Sequence, residues 1–563
     1  MNPLKVSEAK DTQELLNQPP PLTNYNLYLT DITLAEAIQR EGAGWAEPRL
    51  RELGRLLGTE EVQRWGFKAN ENEPVLHTHD RFGNRRDEVE FHPSWHNLMH
   101  ISIENGLHSL PWLEPRIGAN VARAAMLFLT IQNEAGHTCP VSMTFAAVAA
   151  LRAEPALASE WERPILSPSY DPRFRPAPEK SGLLVGMGMT EKQGGSDVRA
   201  NTTRAERIGG SKEYLITGHK WFCSAPMCDA FLILAQAPKG LSCFLLPRWT
   251  PEGDRNAFHL QRLKRKMGNR SNASSEVEFS GAWARLVGEE GRGVQTIIEM
   301  VNCTRLDCAV AAAGLMRAAV VHAVHHAKHR RAFGKRLIEQ PLMQNVLADL
   351  IVESEAATLL VMRLAAAFDA RNSGEAERSF ARIATAISKF WLCKRVPHHV
   401  GEALECLGGN GYVEESVMPR LYCEAPLYSI WEGSGNVICL DVLRALAKEP
   451  GALEALVKEM RLAIGAEKRL DAFIADVEAS LRKHVKQTAE GGSYESEREA
   501  RRLTEKAAIA LQASLLVRHG PGKIADAFCA TRLSGDGGHT FGTLPSGLDL
   551  LRVLDRVSAN LPL

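Results

Sequence analysis

The spacing of apolar residues in the second half of the chain predicts a bundle of long helices. After Gly291, apolar residues recur every three or four positions, as they do on one face of a helix. One helix is expected from about Gly293 to Arg331. A second should be ended by Asn372-Ser373-Gly374 and a third stopped before Pro397. Their stripes are Met343, Val346, Leu347, Leu350, Ala357, Leu360, Val361 and Leu364, then Phe380, Ile383, Ile387, Phe390 and Trp391. Long helices with short connections favour a bundle.

The middle of the chain has the shorter pattern of β-strands. The runs Phe231–Leu234 and Cys243–Leu246 are compact, apolar and bounded by turn residues. Ser275, Val277 and Phe279 alternate with two glutamates, which is typical of a strand buried on one face. We therefore expect a small β-barrel or sandwich.

The two ends of the chain read as helical with loop signals. Helical spacing is found over Asn120–Thr130 and Met143–Leu151, and Pro19-Pro20-Pro21 marks an extended entry. Five prolines between 164 and 178 indicate a domain boundary. The last part is helical again, with a polar break at Glu490-Gly491-Gly492-Ser493 and a Gly/Pro-rich stretch over 534–547.

A chain of 563 residues is too long for a single core. The predicted class is mainly α with a β-barrel middle domain. The predicted parts are an N-terminal helical domain at 1–180, a β-barrel domain at 181–290, a helical bundle domain at 291–446 and a C-terminal helical domain at 447–563.

Composition and charge exclude few classes of function. Lys+Arg and Asp+Glu both number 67, so DNA or membrane binding would need a local patch. The most apolar run, Val141–Leu151, is too short to span a bilayer, and Met1–Gln18 is too polar for a signal peptide. Eleven cysteines without a C-x-x-C pair argue against zinc and disulfides. We expect a cytoplasmic protein that uses no membrane.

The segment Tyr428–Asn436 carries the clearest candidate chemistry. Glu432 lies between Trp431 and the small residues Gly433-Ser434-Gly435. An aromatic neighbour can exclude water from a carboxylate and raise its pKa, as a general base requires. Glycines allow a ligand close to the backbone, and Ser434 and Asn436 can hydrogen-bond to it. The alternative is a turn at a helix end with an ordinary surface glutamate.

This segment resembles the catalytic-base loop of the acyl-CoA dehydrogenase family. Other stretches resemble motifs of the same family in the same order along the chain, which makes chance unlikely. They are Gly186–Val198, Lys220–Ser224, Thr304-Arg305, Arg330–Lys335 and Leu404–Tyr412. The resemblance implies the family fold, an FAD cofactor and acyl-CoA as a substrate, with Glu432 as the catalytic base.

The resemblance also implies roles for residues around the flavin ring. Thr190 and the backbone of Met189 would bond the ring, and Phe222 would cover one of its faces. Ser224 would donate near flavin N5. The remaining residues implied here are Gly195 and Ser196 near the flavin phosphate and substrate pantetheine, Arg305 near the substrate, and Trp431, Ser434 and Asn436 at the cofactor.

Four further motif residues are implied to serve a neighbouring subunit. Arg330, with Phe333 beside it, would pair with the neighbour's flavin pyrophosphate, and Gly408 and Gly409 would border its adenosine. Glu405 replaces the usual Gln of that motif, and Asn302 replaces an Asp that helps many members hold coenzyme A.

Four histidines on one helix raise the question of a metal site. His322, His325, His326 and His329 share one face, but no carboxylate pair lies nearby in sequence. We therefore expect solvated surface or interface histidines and no metal.

Within the family, the motif sequences are most similar to those of the AidB-type branch, which belongs to the bacterial response to DNA alkylation. The stretches 188–198, 266–274 and 430–436 carry this similarity. It implies an added C-terminal helical domain, a homotetramer and affinity for double-stranded DNA. Candidate DNA-binding residues are the local cations of the last part, namely Arg444, Arg482, Lys483, Arg498, Arg501, Arg502 and Lys506.

Three functions remain open at this point. The first is an FAD-containing protein that binds DNA and protects it from alkylation, with weak acyl-CoA dehydrogenase activity. The second is a working acyl-CoA dehydrogenase. The third is a flavin-stabilised scaffold without turnover.

Overall fold

The N-terminal part of the protein is helical with one short hairpin. The computed structural model describes residues 17–371, 374–449, 451–489 and 493–562. The helices predicted over Asn120–Thr130 and Met143–Leu151 are confirmed as α6 and α7. The elements are α1 (Ile32–Arg40), α2 (Glu47–Leu57), α3 (Glu60–Glu71), β1 (Val75–His79), β2 (Arg85–Glu90), α4 (Pro93–Glu104), α5 (Leu110–Leu113), α6 (Ala119–Asn133), α7 (Thr138–Leu151) and α8 (Pro155–Ile165).

The middle part is a closed β-barrel. Five strands pair in a ring in the order β6, β4, β5, β9 and β7, and β7 returns to β6. β3 extends the sheet parallel to β6, and β8 pairs antiparallel with β9. The strands are β3 (Val185–Gly188), β4 (Arg204–Arg207), β5 (Glu213–Ser224), β6 (Ala230–Ala237), β7 (Gly240–Pro247), β8 (Phe258–Leu263) and β9 (Ser274–Val287).

The two apolar runs predicted as strands are hydrogen-bonded partners in this barrel. Phe231 lies opposite Leu246, and Leu234 lies opposite Cys243, in the antiparallel β6–β7 pair. In β9, Val277 and Phe279 point into the core while Glu278 is exposed, as the alternation predicted. Period-two patterning therefore identified the buried face.

The helical bundle follows the barrel, and its central helix is nearly all buried. The elements are α9 (Gly293–His329), β10 (Arg331–Ala332), β11 (Lys335–Arg336), α10 (Pro341–Ala370), α11 (Glu375–Glu405), α12 (Val417–Glu424) and α13 (Gly435–Lys448). By length and composition α9 could cross a membrane, but 94% of its most apolar window is buried inside the protein, as in a core helix.

Two predictions about this bundle are wrong. The third helix does not stop before Pro397, because α11 continues to Glu405 with Pro397 inside it. Proline removes one backbone hydrogen bond, and packing on α9 and α10 outweighs that loss. Of the four α9 histidines expected at the surface or an interface, two are buried inside the chain, while His322 and His329 are half-buried. His325 and His326 are buried, and His325 bonds to the Pro20 carbonyl at 2.9 Å.

The last part is helical and packs closely on the bundle. Trp391 Nε1 on α11 donates to Gln512 Oε1 at 2.7 Å, and both side chains are buried. Arg556 near the C-terminus bonds to Glu36 and Glu355. The helices are α14 (Ala452–Arg461), α15 (Lys468–Ala489), α16 (Ser493–His519), α17 (Gly522–Arg532) and α18 (Leu550–Ser558).

Some sequence predictions cannot be compared with the structure. The helix end at Asn372-Ser373 and the polar break over 490–492 lie outside the described residues. The boundaries of the four predicted domains stay a prediction, although the changes from helix to strand and back occur near 181 and 291.

Candidate functional site

The candidate base lies in the loop that joins α12 to α13. Glu432 has a φ of +58° and Gly433 a φ of +111°. The left-handed region is costly for a residue with a β-carbon, so other groups must hold this loop. The Lys389 ammonium on α11 donates to the carbonyls of Gly433 and of Trp431, the latter at 2.9 Å. Arg305 Nε on α9 donates to the Glu432 carbonyl at 3.0 Å.

The Glu432 carboxylate is partly buried and oriented by one hydroxyl group. Thr304 Oγ1 donates to Glu432 Oε2 at 2.8 Å. Burial raises the pKa of Glu432 above its ordinary value, while the Thr304 hydrogen bond and the charges of Arg305 and Lys389 oppose the rise. A carboxylate with a raised pKa is suited to proton abstraction near neutral pH.

Arg305 is held by a buried carboxylate that sequence reasoning missed. Asp441 on α13 accepts from Arg305 at 2.8 Å, and Arg382 and Arg444 reach the same carboxylate. Burial raises the pKa of Asp441, but the three guanidinium groups together hold it below its ordinary value. Asp441 therefore fixes the direction in which Arg305 meets the Glu432 loop.

The predicted ring-binding residues gather at one end of the barrel. The Thr190 carbonyl, just after β3, accepts from the Trp221 amide of β5 at 2.8 Å. A β-carbon on Gly195 would lie 2.3 Å from Thr190 Oγ1, so only glycine fits there. The Phe222 side chain, near the end of the barrel strand β5, is 51% exposed. The Met189 carbonyl is taken by Asn201 Nδ2 at 3.0 Å.

A buried ion pair fixes this end of the barrel. Lys220 Nζ donates to Glu191 Oε1 at 2.8 Å, and both side chains are fully buried. Glu191 also accepts from the amides of Thr202 and Thr203. Burial raises the pKa of Glu191, but Lys220 and these hydrogen bonds outweigh burial and lower it to about 2. The pair therefore locks Thr190, which precedes Glu191, against β5.

A cysteine connects the barrel end to the candidate base. The buried Cys139 thiol on α7 lies near Ser224, at the end of β5, and near Glu432, whose negative charge adds to the rise in the pKa of the thiol. Burial raises the pKa of this thiol to about 12, so it is neutral. Ser224 and Glu432, far apart in sequence, thus both lie near this thiol. No sequence signal pointed to Cys139.

The other residues predicted near the base lie in the loop after β3 and at the start of α13. Ser196 is exposed in the loop after β3. Ser434 is the residue before α13, and its side chain makes no capping hydrogen bond. Asn436 Oδ1 accepts from Arg501 Nη1 of α16 at 3.1 Å. Both side chains therefore lie beside the base loop, at the first turn of α13.

The residues predicted to serve a neighbouring subunit lie far from Glu432. Arg330 ends α9, which places it about 37 Å along the helix from Arg305 at 1.5 Å per residue. Phe333 is 97% exposed in the turn between β10 and β11. Gly408 and Gly409 have open space where a β-carbon would be. One chain does not bring these four residues to its own base.

The candidate DNA-binding cations are partly neutralised. Arg482 donates to Glu454 and Glu478, Lys506 pairs with Asp476, and Arg444 pairs with Asp441. Arg498 lies on α16 with the exposed Arg501. Lys483 on α15 and Arg502 on α16 are exposed, and no carboxylate among the described residues is within ion-pair distance of either.

The barrel end fits the flavin ring that the resemblance implies. It offers the half-exposed ring of Phe222, the Ser224 hydroxyl and a close approach at Gly195. Trp431 Nε1 is buried without a hydrogen-bond partner, and the indole packs edge-on against Tyr428 at 5.6 Å between centroids. The set combines hydrogen-bond donors with a surface for a flat ring.

Three family models match consecutive parts of the chain. The model described as the adaptive response protein AidB N-terminal domain matches residues 17–172. The acyl-CoA dehydrogenase middle domain matches 186–282, and the acyl-CoA dehydrogenase C-terminal domain matches 291–447.

Known proteins resemble the chain over three quarters of its length or more. A protein of Escherichia coli (strain K12) named "Putative acyl-CoA dehydrogenase AidB" is 46% identical over 94% of this chain and 95% of its own. "Acyl-CoA dehydrogenase family member 11" of Caenorhabditis elegans is 32% identical over 76% of this chain and 71% of its own. The crystal structure of Caenorhabditis elegans ACDH-11 in complex with C11-CoA superposes with a TM-score of 0.83 at 27% identity, covering 99% of this chain and 95% of that one.

Proposed function

The chain belongs to the acyl-CoA dehydrogenase family, in its AidB branch, and from this premise we propose that it binds FAD and dehydrogenates an acyl-CoA with Glu432 as base. The observation that carries this proposal is the Glu432 carboxylate. It is partly buried, accepts a hydrogen bond from Thr304, has a raised pKa, and lies, like Ser224 at the end of the barrel, near the buried Cys139.

The chain's own groups account for the proton transfer. Glu432 removes the α-proton of the thioester, and Thr304 holds the carboxylate oxygen that does not receive it. Lys389 and Arg305 keep the loop in its left-handed conformation through backbone carbonyls. FAD, when bound, supplies the hydride acceptor for the β-carbon. Thr190, Phe222 and Ser224 would hold its ring. Gly195 and Ser196 would lie near its phosphate.

A fatty acyl-CoA is the substrate class that the comparisons support. The Caenorhabditis elegans structure of the same fold was solved with C11-CoA. We propose that this chain also accepts an acyl-CoA thioester. Asn302, in place of the family's usual Asp, leaves one fewer charged group for coenzyme A, so binding should be weak.

We also propose a homotetramer. Arg330, Phe333, Gly408 and Gly409 lie far from the base of their own chain, and Phe333 is almost fully exposed. A neighbouring subunit would give these residues a cofactor to contact. Dissociation into monomers should then release FAD.

Flavin analysis and an acyl-CoA series test the enzymatic proposal. The purified full chain should contain noncovalent FAD, and saturated acyl-CoA thioesters of graded length should bleach it without oxygen. A protein that stays colourless after refolding with excess FAD does not bind the cofactor, and that result would refute the proposal. A chain that holds FAD but is reduced by no thioester supports the scaffold function instead.

As a second function, we propose that the chain binds double-stranded DNA in the adaptive response to alkylation. The support is the match to the AidB N-terminal domain, described as an adaptive response protein, and the 46% identity to the Escherichia coli protein. The exposed Lys483 and Arg502 supply cations on adjacent helices. A cytoplasmic location stays a prediction.

A salt titration with duplexes of unrelated sequence tests DNA binding. Phosphate contacts should give a log–log slope of about −0.9 per contact. Reversal of Lys483 and Arg502 to Glu should weaken all duplexes equally. The matched control is Arg482→Ala, because Arg482 already pairs with Glu454 and Glu478. Salt-insensitive binding, or full affinity in the reversed variant, would place the DNA site elsewhere.

A further inference from the structure

The last helical part of the chain reaches the base loop with one side chain. Arg501 on α16 donates from Nη1 to Asn436 Oδ1 at 3.1 Å. Asn436 lies in the first turn of α13, four residues after Glu432. A residue predicted to bind DNA is therefore found beside the predicted cofactor site.

The position of Arg501 is fixed by packing of α16 on the bundle. Its guanidinium lies 5.6 Å from the ring centroid of Phe390, a buried residue of α11. Three residues further along α16, the buried Thr504 lies near the buried Cys439 of α13, against which α16 packs. A helix held on both sides presents Arg501 to Asn436 in one orientation.

A second cation lies at the same turn. Lys394 of α11 is so close that its Cε would be 2.9 Å from a β-carbon on Gly435. Among the residues that the structure describes, no carboxylate lies within ion-pair distance of Lys394 or Arg501. Other cations of the last helices differ, because Arg482 and Lys506 are paired with acids. Two uncompensated cations at one turn favour an anionic ligand.

The Asn436 side chain is also prepared for such a ligand. Its Oδ1 accepts from Arg501, so its Nδ2 group remains to donate. The Ser434 hydroxyl beside it makes no capping bond to α13. Phosphate oxygens bind to hydrogen-bond donors and cations and are repelled by carboxylates. This turn therefore suits a phosphate group.

We propose that Arg501 is a cofactor-binding residue that contacts the pyrophosphate of FAD together with Asn436. This inference rests on the proposed function, since it requires FAD at the barrel end. It gives the helices after 447 a part in holding the flavin. It also removes Arg501 from the set of DNA contacts, leaving its neighbour Arg502 exposed for that role.

Affinities for FAD and riboflavin, measured on the full-length chain, test this inference. Arg501→Ala should weaken FAD at least about tenfold, the size expected for one lost hydrogen bond between charged groups. Riboflavin, which has no phosphate, should bind the variant as it binds the wild type. Arg501→Lys should restore part of the FAD affinity, because the charge returns. Lys458→Ala, which removes an exposed cation of α14, is the control and should leave both affinities unchanged.

Several outcomes would overturn the inference. An equal loss for both flavins would show that Arg501 only supports the fold, and unchanged FAD affinity would show that it does not touch the cofactor. A loss of duplex DNA binding in Arg501→Ala with FAD affinity intact would return the residue to the DNA site. If Arg501→Ala does not fold, Arg501→Gln and Arg501→Lys carry the same comparison. A wild-type chain that takes up neither flavin refutes the proposed function, and the inference with it.

Discussion

Lys389 is the side chain on which the geometry of the base loop depends most. Its buried ammonium donates to two loop carbonyls, on either side of Glu432, and its charge opposes the rise in the pKa of Glu432. The sequence offered a faint signal for it, a lysine within the apolar run Phe380–Trp391.

Lys389→Met should therefore move the pH dependence of dehydrogenation. Without the positive charge the pKa of Glu432 rises further, so the base ionises only at higher pH and the acid limb of kcat/KM shifts upward. A loosened loop should also lower the rate by about 10- to 100-fold. A pH–rate profile checks this, with Lys448→Met on the exposed side of α13 as control. An acid limb at the same pH would show that Lys389 does not act on Glu432.

Glu424 is a second titratable residue with a measurable consequence. It is buried, with Oε1 accepting from the Asn269 amide at 2.7 Å and Oε2 without a partner. Burial, aided by the nearby charge of Glu134, raises the pKa of Glu424 from 4.5 to about 7. The folded state thus holds this proton more tightly than the unfolded chain does, and the stability it contributes is lost as pH rises through about 7.

Glu424→Gln keeps the hydrogen bond to Asn269 and removes the ionisation. The variant should be more stable than the wild type by up to about 3 kcal/mol at alkaline pH, and equally stable at about pH 3, well below the unfolded pKa of 4.5, where Glu424 is protonated in both states. Denaturant unfolding at the two pH values measures the difference. A stability gain that does not depend on pH would contradict the assignment.

At the scale of elements, the β3–β5 contact sets the shape of the barrel end. The Glu191–Lys220 pair is completely buried, so removing one partner leaves an uncompensated charge. Glu191→Gln should cost about 3–5 kcal/mol of stability and lower the flavin content, since Thr190 precedes Glu191. Unfolding curves and flavin absorbance check both effects. The control is Glu278→Gln on the exposed face of β9, and an equal loss there would show a general effect of charge removal.

The elements also show what the sequence could and could not predict. Apolar spacing predicted α6, α7 and α9 and both strands of the β6–β7 pair, because each buries one face or a short run. It failed at Pro397 and at the α9 histidines, where packing on several sides overrides local preference. In the site, the loop 428–436 was recognisable because its residues are consecutive. Cys139, Lys389 and Asp441 come from three separate helices, and no spacing in the sequence relates them.

At the scale of the whole molecule, the C-terminal helices close the structure around the bundle. Arg556 on α18 bonds to Glu36 of α1 at 2.8 Å and to the buried Glu355 of α10 at 3.0 Å. Lys328 of α9 donates to the Ser558 carbonyl at 2.9 Å. The first and last described helices are thus joined through the bundle.

Arg556→Ala should destabilise the whole fold by about 3 kcal/mol, because it strands the buried carboxylate of Glu355. Thermal unfolding measures the loss. Arg552→Ala, an exposed residue on the same helix, should have little effect. A midpoint unchanged by Arg556→Ala would show that α18 does not contribute to the cooperative unit.

The central claim is that Glu432 is a base facing a bound flavin. The most direct test is single-turnover reduction of the flavin by an acyl-CoA, comparing wild type with Glu432→Gln at equal FAD content. The amide keeps the shape and loses the basic lone pair, so reduction should slow by about 10²–10⁴-fold while FAD stays bound. Reduction of the variant at the wild-type rate would contradict the claim.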